Sequence, residues 1–311
     1  MDTARLYLGD GRENSITVYA PRSHKIVRKV SQGIEAPVWI AFDAGGNLYV
    51  ANCGPTDCHS GTFITVYPRG SGNLSLTISA GINGPVDMVF DDSGNLYVSN
   101  EFGSTVTVYA PGKSKPLRTI SSGVSQPRGL VFDRSGNLYV ANRYPPSVSV
   151  YAPGGDTPIR TISTGLTEPV WVAFDRRGRL YVSNCSPYAN STVAIYSAEQ
   201  DEPIGTISEG LLCAGKLVFS SNALYVDDFV ANDVMVYALG GEHRLLGKIS
   251  EGINQPVGMA FDSSGNLYVG NCGACGAVGR NEVTVYGPQD DRLIDKIRRG
   301  HHGVAGLAFG P

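Results

Sequence analysis

Short apolar runs recur along the whole chain, and clusters of Asp, Asn, Ser, Gly and Pro separate them. Residues 126–164 show the unit. Gly129–Phe132 and Leu138–Ala141 are apolar runs joined by Asp133-Arg134-Ser135-Gly136-Asn137, a composition that predicts a tight hairpin turn. Ser147–Tyr151 alternates polar and apolar residues, as a half-buried strand does. Ala152-Pro153-Gly154-Gly155 interrupts the pattern, and Ile159–Ser163 supplies a fourth strand. Helical patterns are absent. The chain is predicted to be all-β, built from units of four strands, here called a, b, c and d.

The unit repeats. Phe-Asp-x-x-Gly-Asn-Leu-Tyr-Val-x-Asn spans the a–b turn and strand b nearly intact at Phe42–Asn52, Phe90–Asn100, Phe132–Asn142, Phe174–Asn184 and Phe261–Asn271. It is degraded at Phe219–Asp228 and split between the chain ends, with Leu6-Tyr7-Leu8 in front and Leu307-Ala308-Phe309 behind. The Leu-Tyr pairs begin at 6, 48, 96, 138, 180, 224 and 267, a period of 42 to 48 residues. Several short strands per repeat at that period predict a seven-bladed β-propeller, with strand a at the axis and strand d at the rim. The first repeat lacks strand a, and Gly303–Phe309 is a strand a without followers, so the two are expected to join and close the ring. The repeat covers residues 1–311, which predicts one domain.

A formal charge of −3 with 17% charged residues, and no basic run, argues against a nucleic-acid partner. No apolar stretch approaches transmembrane length, so no membrane insertion is expected. Residues 1–20 carry a strand pattern rather than a signal peptide. Cysteine usage adds a compartment. Cys53, Cys185 and Cys272 directly follow the Asn that ends strand b, and each opens one of the three lengthened b–c loops. Cys58 and Cys275 lie in two of those loops, and Cys213 lies in the d–a connection beside the third. Three local disulfides are expected, Cys53–Cys58, Cys185–Cys213 and Cys272–Cys275. They imply an oxidising compartment, so a secreted or periplasmic protein is expected, its leader already removed, and it is expected to be a monomer. A zinc site or a thioredoxin-like use of Cys272-x-x-Cys275 is the rival reading.

In a propeller the b–c and d–a loops share one face, the top. Residues that every repeat carries build the scaffold, so candidate function lies in the remainder. Fourteen of 16 tyrosines are repeat positions, leaving Tyr144 and Tyr188 in b–c loops. Seven of ten phenylalanines end strand a, leaving Phe63, Phe102 and Phe229 in or beside b–c loops. The third residue of strand a lines the channel and reads, from blade 2 round to blade 1, Trp39, Asp87, Gly129, Trp171, Lys216, Gly258 and Gly306. Two indole walls facing each other are expected, with Asp87 and Lys216 across the other diameter. Arg128, Arg143 and Glu101 stand at nearby loop starts. The expected ligand-binding set is Trp39, Asp87, Phe102, Arg128, Arg143, Tyr144, Trp171, Tyr188, Lys216 and Phe229. It suits a small molecule or a polysaccharide or other polymer with sugar-like or aromatic rings. Channel plugging by the indoles, with Asp87 and Lys216 paired to neighbours, is the plain structural alternative.

The Phe-Asp-x-x-Gly-Asn-Leu-Tyr-Val-x-Asn phrase and the Val106–Gly112 phrase (Val-Thr-Val-Tyr-Ala-Pro-Gly) resemble those of NHL-type propellers, a group bordering virginiamycin B lyase-like and gluconolactonase-like propellers. The resemblance spans the chain and implies the fold; members bind proteins, RNA or small ligands, or act as enzymes. The lyase-like enzymes place histidines and an acid around a metal in the top cleft. His24 and His243 are expected away from that cleft, while His59, His301 and His302 are top-facing. The lyase residues do not transfer one by one. The lactonase-like enzymes hold a divalent cation through Glu, Asn and Asp at the channel. Here the Asn that ends strand b recurs too regularly to be a ligand, and Asp227-Asp228 replaces x-Asn in blade 6 alone. Asp227, Asp228 and Lys216 are therefore the catalytic candidates, and His59, His302 and Asp228 weak metal candidates. No cofactor is expected beyond a possible divalent metal. The favoured expectation is a ligand-binding propeller. The alternatives are a lyase or lactonase-like hydrolase acting through top-face Asp and Lys, and a protein-interaction propeller.

Overall fold

The structure is a computed structural model that describes residues 4–54, 58–186, 190–272, 281–288, 291–298 and 303–311. Seven four-stranded antiparallel sheets form a ring, a seven-bladed β-propeller, with no helix among the described residues. Each strand a packs beside the strand a of the next blade, so these seven strands surround the axis. Blade 1 takes its strand a (Val304–Gly310) from the end of the chain and strands b (Arg5–Asp10), c (Ser15–Tyr19) and d (Ile26–Val30) from its beginning. The pairing Leu6↔Phe309, Tyr7↔Ala308 and Leu8↔Leu307 is the closure that the split repeat predicts.

The repeat phrase is legible as packing. Strand b Tyr of each blade stands edge-on to strand a Phe of the following blade, from Tyr7–Phe42 round to Tyr268–Phe309, with ring centroids 4.8–5.2 Å apart and interplanar angles of 69–85°. Edge-to-face packing is the favoured geometry for such pairs. Each blade-to-blade seam thus carries one aromatic lock inside its own apolar cluster.

Two further repeat positions hold the d–a linkers. The hydroxyls of strand c Tyr67, Tyr109, Tyr151, Tyr196, Tyr237 and Tyr286 donate to linker carbonyls at 2.5–2.7 Å. Oδ1 of Asn52, Asn100, Asn142, Asn184 and Asn271 accepts from linker amides at 2.9–3.1 Å. On the opposite face, the Asn of the a–b turn donates from Nδ2 to the turn Asp in blades 2, 3, 4 and 7 at 2.7–2.8 Å. These residues are consumed by folding, as their repetition implies.

Candidate functional site

The site begins with an irregularity in strand a. In blades 3, 5 and 6 the a–b register shifts just after the first residue of strand a. The shift frees the N–H of the third residue, and a strand b side chain meets it. Ser99 Oγ accepts from Asp87 N at 2.9 Å, Ser183 Oγ from Trp171 N at 3.1 Å, and Asp227 Oδ1 from Lys216 N at 2.5 Å. Blade 6 thus performs with a carboxylate what blades 3 and 5 perform with a hydroxyl. Gly215 is needed beside it, because a Cβ there would collide with Asp227 Oδ1.

The indoles do not form separated walls. Trp39 and Trp171 come from blades that are not neighbours, yet their ring centroids lie 5.0 Å apart at a 49° tilt. The axis of the ring is narrow enough for opposite indoles to touch, so nothing flat can enter between them. Lys216 folds onto the pair, with Nζ 4.5 Å from the Trp39 ring centroid and 5.5 Å from that of Trp171. An ammonium over indole is a favourable cation–π arrangement. Among the described residues, Nζ makes no hydrogen bond or ion pair, so its donors remain available.

A cavity of about 460 Å³ opens over this platform. Every blade contributes to its lining, from Trp39 in blade 2 to Pro256 in blade 7 and Ala305 in blade 1, so it is ringed by the blades and open to solvent. Phe102 and Phe229 supply further apolar wall, while Lys216, Asp227, Glu101 and Arg128 supply the charged groups. Phe102 lies over the linker at Gly84, whose φ of +65° and lack of a side chain make room for the ring.

Two buried carboxyls face the ammonium electrostatically. Asp87 accepts from Met88 N and Leu130 N at 2.8 Å, but burial dominates and raises its pKa to about 6. Burial likewise raises Asp227 to about 7, against the lowering effect of the Lys216 amide and ammonium. Asp227 Oδ2 has no hydrogen-bond partner among the described residues. Lys216 is lowered from the ordinary lysine value by burial, with Asp87 and Asp227 pulling the other way.

Asp228 stands apart from its neighbour. It is fully buried, and its two oxygens accept from the amides of Leu212, Cys213, Val230 and Ala231 at 2.6–3.2 Å. The Leu212 bond repeats the linker bond that Asn makes in the intact blades. Asp228 therefore takes the structural place of that Asn and lies outside the cavity lining. Sequence comparison alone grouped the two aspartates, and the structure separates them.

The remaining candidates divide. Arg128 Nη2 donates to Glu101 at 2.7 Å, leaving Nε buried without a partner. Arg143 is bound to Glu168 and lies 3.7 Å from Glu101, outside the cavity lining. Glu168, just before strand a of blade 5, was not singled out by sequence; its place beside the channel-lining Pro-Val-Trp was the available signal. Tyr144 is 70% exposed and also outside the lining. His59 stacks on Phe102 with centroids 3.9 Å apart, and no group of three His, Cys, Asp or Glu among the described residues is placed to hold a metal. His24 and His243 bond Tyr268 and Tyr181 instead, and none of the four lines the cavity. Tyr188, His301 and His302 lie outside the described residues.

Cys53–Cys58 and Cys185–Cys213 are disulfides, as the loop arrangement predicts, and all four cysteines line the cavity. The third expected bridge, Cys272–Cys275, includes a residue outside the described ones. Two disulfides are consistent with an extracellular or periplasmic protein.

No protein-family model and no curated protein matches the chain. The NHL-type resemblance therefore rests on the repeat phrases alone. Solved structures do match. A protein from Bacteroides uniformis, provisionally assigned as a 6-phosphogluconolactonase, is similar with a TM-score of 0.78 at 14% identity, covering 99% of this chain and 100% of its own. A functionally unknown protein from Desulfotomaculum acetoxidans gives 0.75 at 14% identity, covering 98% of each chain. Hydrazine synthase of Kuenenia stuttgartiensis gives 0.72 at 16% identity, covering 87% of this chain and 88% of that one. At such identities the likeness is one of fold: this chain is a seven-bladed β-propeller with lactonase-like structural neighbours.

Proposed function

We propose that this propeller is a secreted or periplasmic binding protein for a compact ligand. The ligand carries a flat or apolar ring and an acceptor group such as a carboxylate or carbonyl. One observation carries the reading: Lys216 holds an ammonium that makes no hydrogen bond among the described residues, on a pair of indoles lining a largely apolar cleft. Lys216 is half-buried, and an ammonium facing a cleft with its donors unspent gives a ligand acceptor a place to bind. The cavity is of ordinary small-ligand size and is walled by every blade, which favours a compact molecule over a polymer lying across the face. Because the indoles touch, the ring rests on them rather than between them.

A second reading, acid–base chemistry on a lactone or ester, draws support from Asp227, whose carboxyl near neutrality is suited to proton transfer. Lactonase-like neighbours add only the fold. The binding reading is tested by titrating the intrinsic tryptophan fluorescence, which the platform dominates because Trp39 and Trp171 are the chain's two tryptophans. Benzoate should quench or shift it with saturation, and Lys216→Met should weaken the effect more than benzyl alcohol binding. No saturable response to any ring-bearing carboxylate or carbonyl probe would defeat the reading.

A further inference from the structure

We infer that Lys216 is a nucleophile as well as an anchor: it captures an aldehyde or ketone group of the ligand as an imine, with Asp227 as the proton donor. The inference rests on the ligand-pocket reading above and goes beyond it, from recognition to a covalent step.

Geometry supports it first. Nζ of Lys216 lies against the indoles that line the cavity, and among the described residues no carboxylate is within ion-pair distance of it and it makes no hydrogen bond. The indole platform fixes where the amine sits and gives an aromatic carbonyl compound a surface to lie on. Asp227 lines the same cavity and is tied to Lys216 through the backbone, and its Oδ2 has no partner among the described residues.

Electrostatics then favours the reactive protonation states. Burial lowers the Lys216 pKa, which enlarges the fraction of free amine near neutrality. Asp87 on strand a of blade 3 and Asp227 on strand b of blade 6 oppose that shift, but burial holds both carboxyls near neutrality as well. The other charged groups lining the cavity are Arg128 and Glu101, which neutralise each other in an ion pair.

The step balances without any further reagent. The amine lone pair attacks the carbonyl carbon, a C–N bond forms, and the C=O π electrons move to oxygen. Transfer of one amine proton to that oxygen gives a neutral carbinolamine. The Asp227 carboxyl then protonates the hydroxyl, the C–O bond breaks and water leaves. The nitrogen lone pair closes the C=N bond as a protonated imine, with the Asp227 carboxylate as counter-ion.

The test treats the folded protein with 4-hydroxybenzaldehyde and sodium cyanoborohydride at neutral pH and locates the reduced adduct by peptide mass spectrometry. Lys113 and Lys115, both exposed, serve as internal references. Lys216 should label faster than either by about tenfold or more, because the indole platform holds the aldehyde against its amine. Asp227→Asn should slow labelling at Lys216 and leave Lys113 unchanged. Labelling of Lys216 no faster than the references would overturn the proposal. A parallel titration with 4-hydroxybenzyl alcohol, followed by tryptophan fluorescence, separates the two readings. Saturable binding of the alcohol with no Lys216 adduct from the aldehyde defeats the imine and leaves the pocket standing. Absence of both defeats the pocket and the imine together.

Discussion

Blades 3 and 6 solve one structural problem with different chemistry. In blade 3, Ser99 Oγ meets the freed N–H of Asp87, and Asn100 accepts from the incoming linker. In blade 6, Asp227 meets the freed N–H of Lys216, and Asp228 accepts from the incoming linker. Asp228 is fully spent: its oxygens are saturated by backbone amides, so its charge serves the fold. Asp227 is not. A serine suffices for its structural task in two other blades, and the carboxylate leaves one oxygen over, in a cavity that also holds an unbonded ammonium. In a repeat protein, function is sought in what a residue carries beyond the task its position sets.

The comparison breaks most visibly if Asp228 is removed. Asp228→Ala leaves the amides of Leu212, Cys213, Val230 and Ala231 without their acceptor, which should cost at least about 3 kcal/mol of stability. Urea denaturation measures it; a loss below about 1 kcal/mol would mean that water replaces the carboxylate there. Trp39→Ala acts on the other side of the comparison. It removes half of the indole platform and should weaken binding of a ring-bearing carboxylate by roughly tenfold to a hundredfold, read by calorimetry. Unchanged affinity would make the indoles a channel plug.

A smaller effect sharpens the contrast through pH. Burial raises Asp87 to about 6 and Asp227 to about 7, above the ordinary carboxylate value of 3.8. The unfolded chain releases these protons near the ordinary value while the folded chain keeps them. Their contribution to stability therefore falls as pH rises from about 4 to about 7, and is level above that. Melting temperatures across that range should decline less steeply in Asp227→Asn than in the unaltered protein. Equal slopes would show that Asp227 is ionised throughout.

Much of this was legible in the sequence because the repeat makes its own control. The Tyr and Phe that recur in every blade, and the Asn and Asp that recur in most, announced the seams, the linkers and the turns, and the split repeat announced ring closure. The position of a residue in its repeat also placed Trp39, Trp171 and Lys216 around one axis. It could not give the width of that axis, which depends on how closely seven backbones pack. Gly129 shows the limit: a Cβ there would press on Val172 N at 3.0 Å, so this glycine is demanded by packing rather than neutral. The contact between the indoles and the fold of Lys216 onto them follow from that closeness. The ion pairs of Arg128 with Glu101 and of Arg143 with Glu168 join neighbouring blades, so position within the repeat did not reveal them. Asp228 could have been set aside earlier, since it aligns with a repeat Asn of the same shape, whereas Asp227 aligns with Ala, Ser and Gly.

The most direct measurement converts blade 6 to the chemistry of blade 3 with a single change, Asp227→Ser, and records melting temperature and benzoate or 4-hydroxybenzaldehyde binding on the same sample. The account predicts a folded protein at least as stable as the original at neutral pH, because a hydroxyl can meet the Lys216 amide without burying a carboxyl, together with loss of aldehyde capture. A destabilised protein that still captures the aldehyde at Lys216 would contradict it, and would assign Asp227 to the scaffold alongside Asp228.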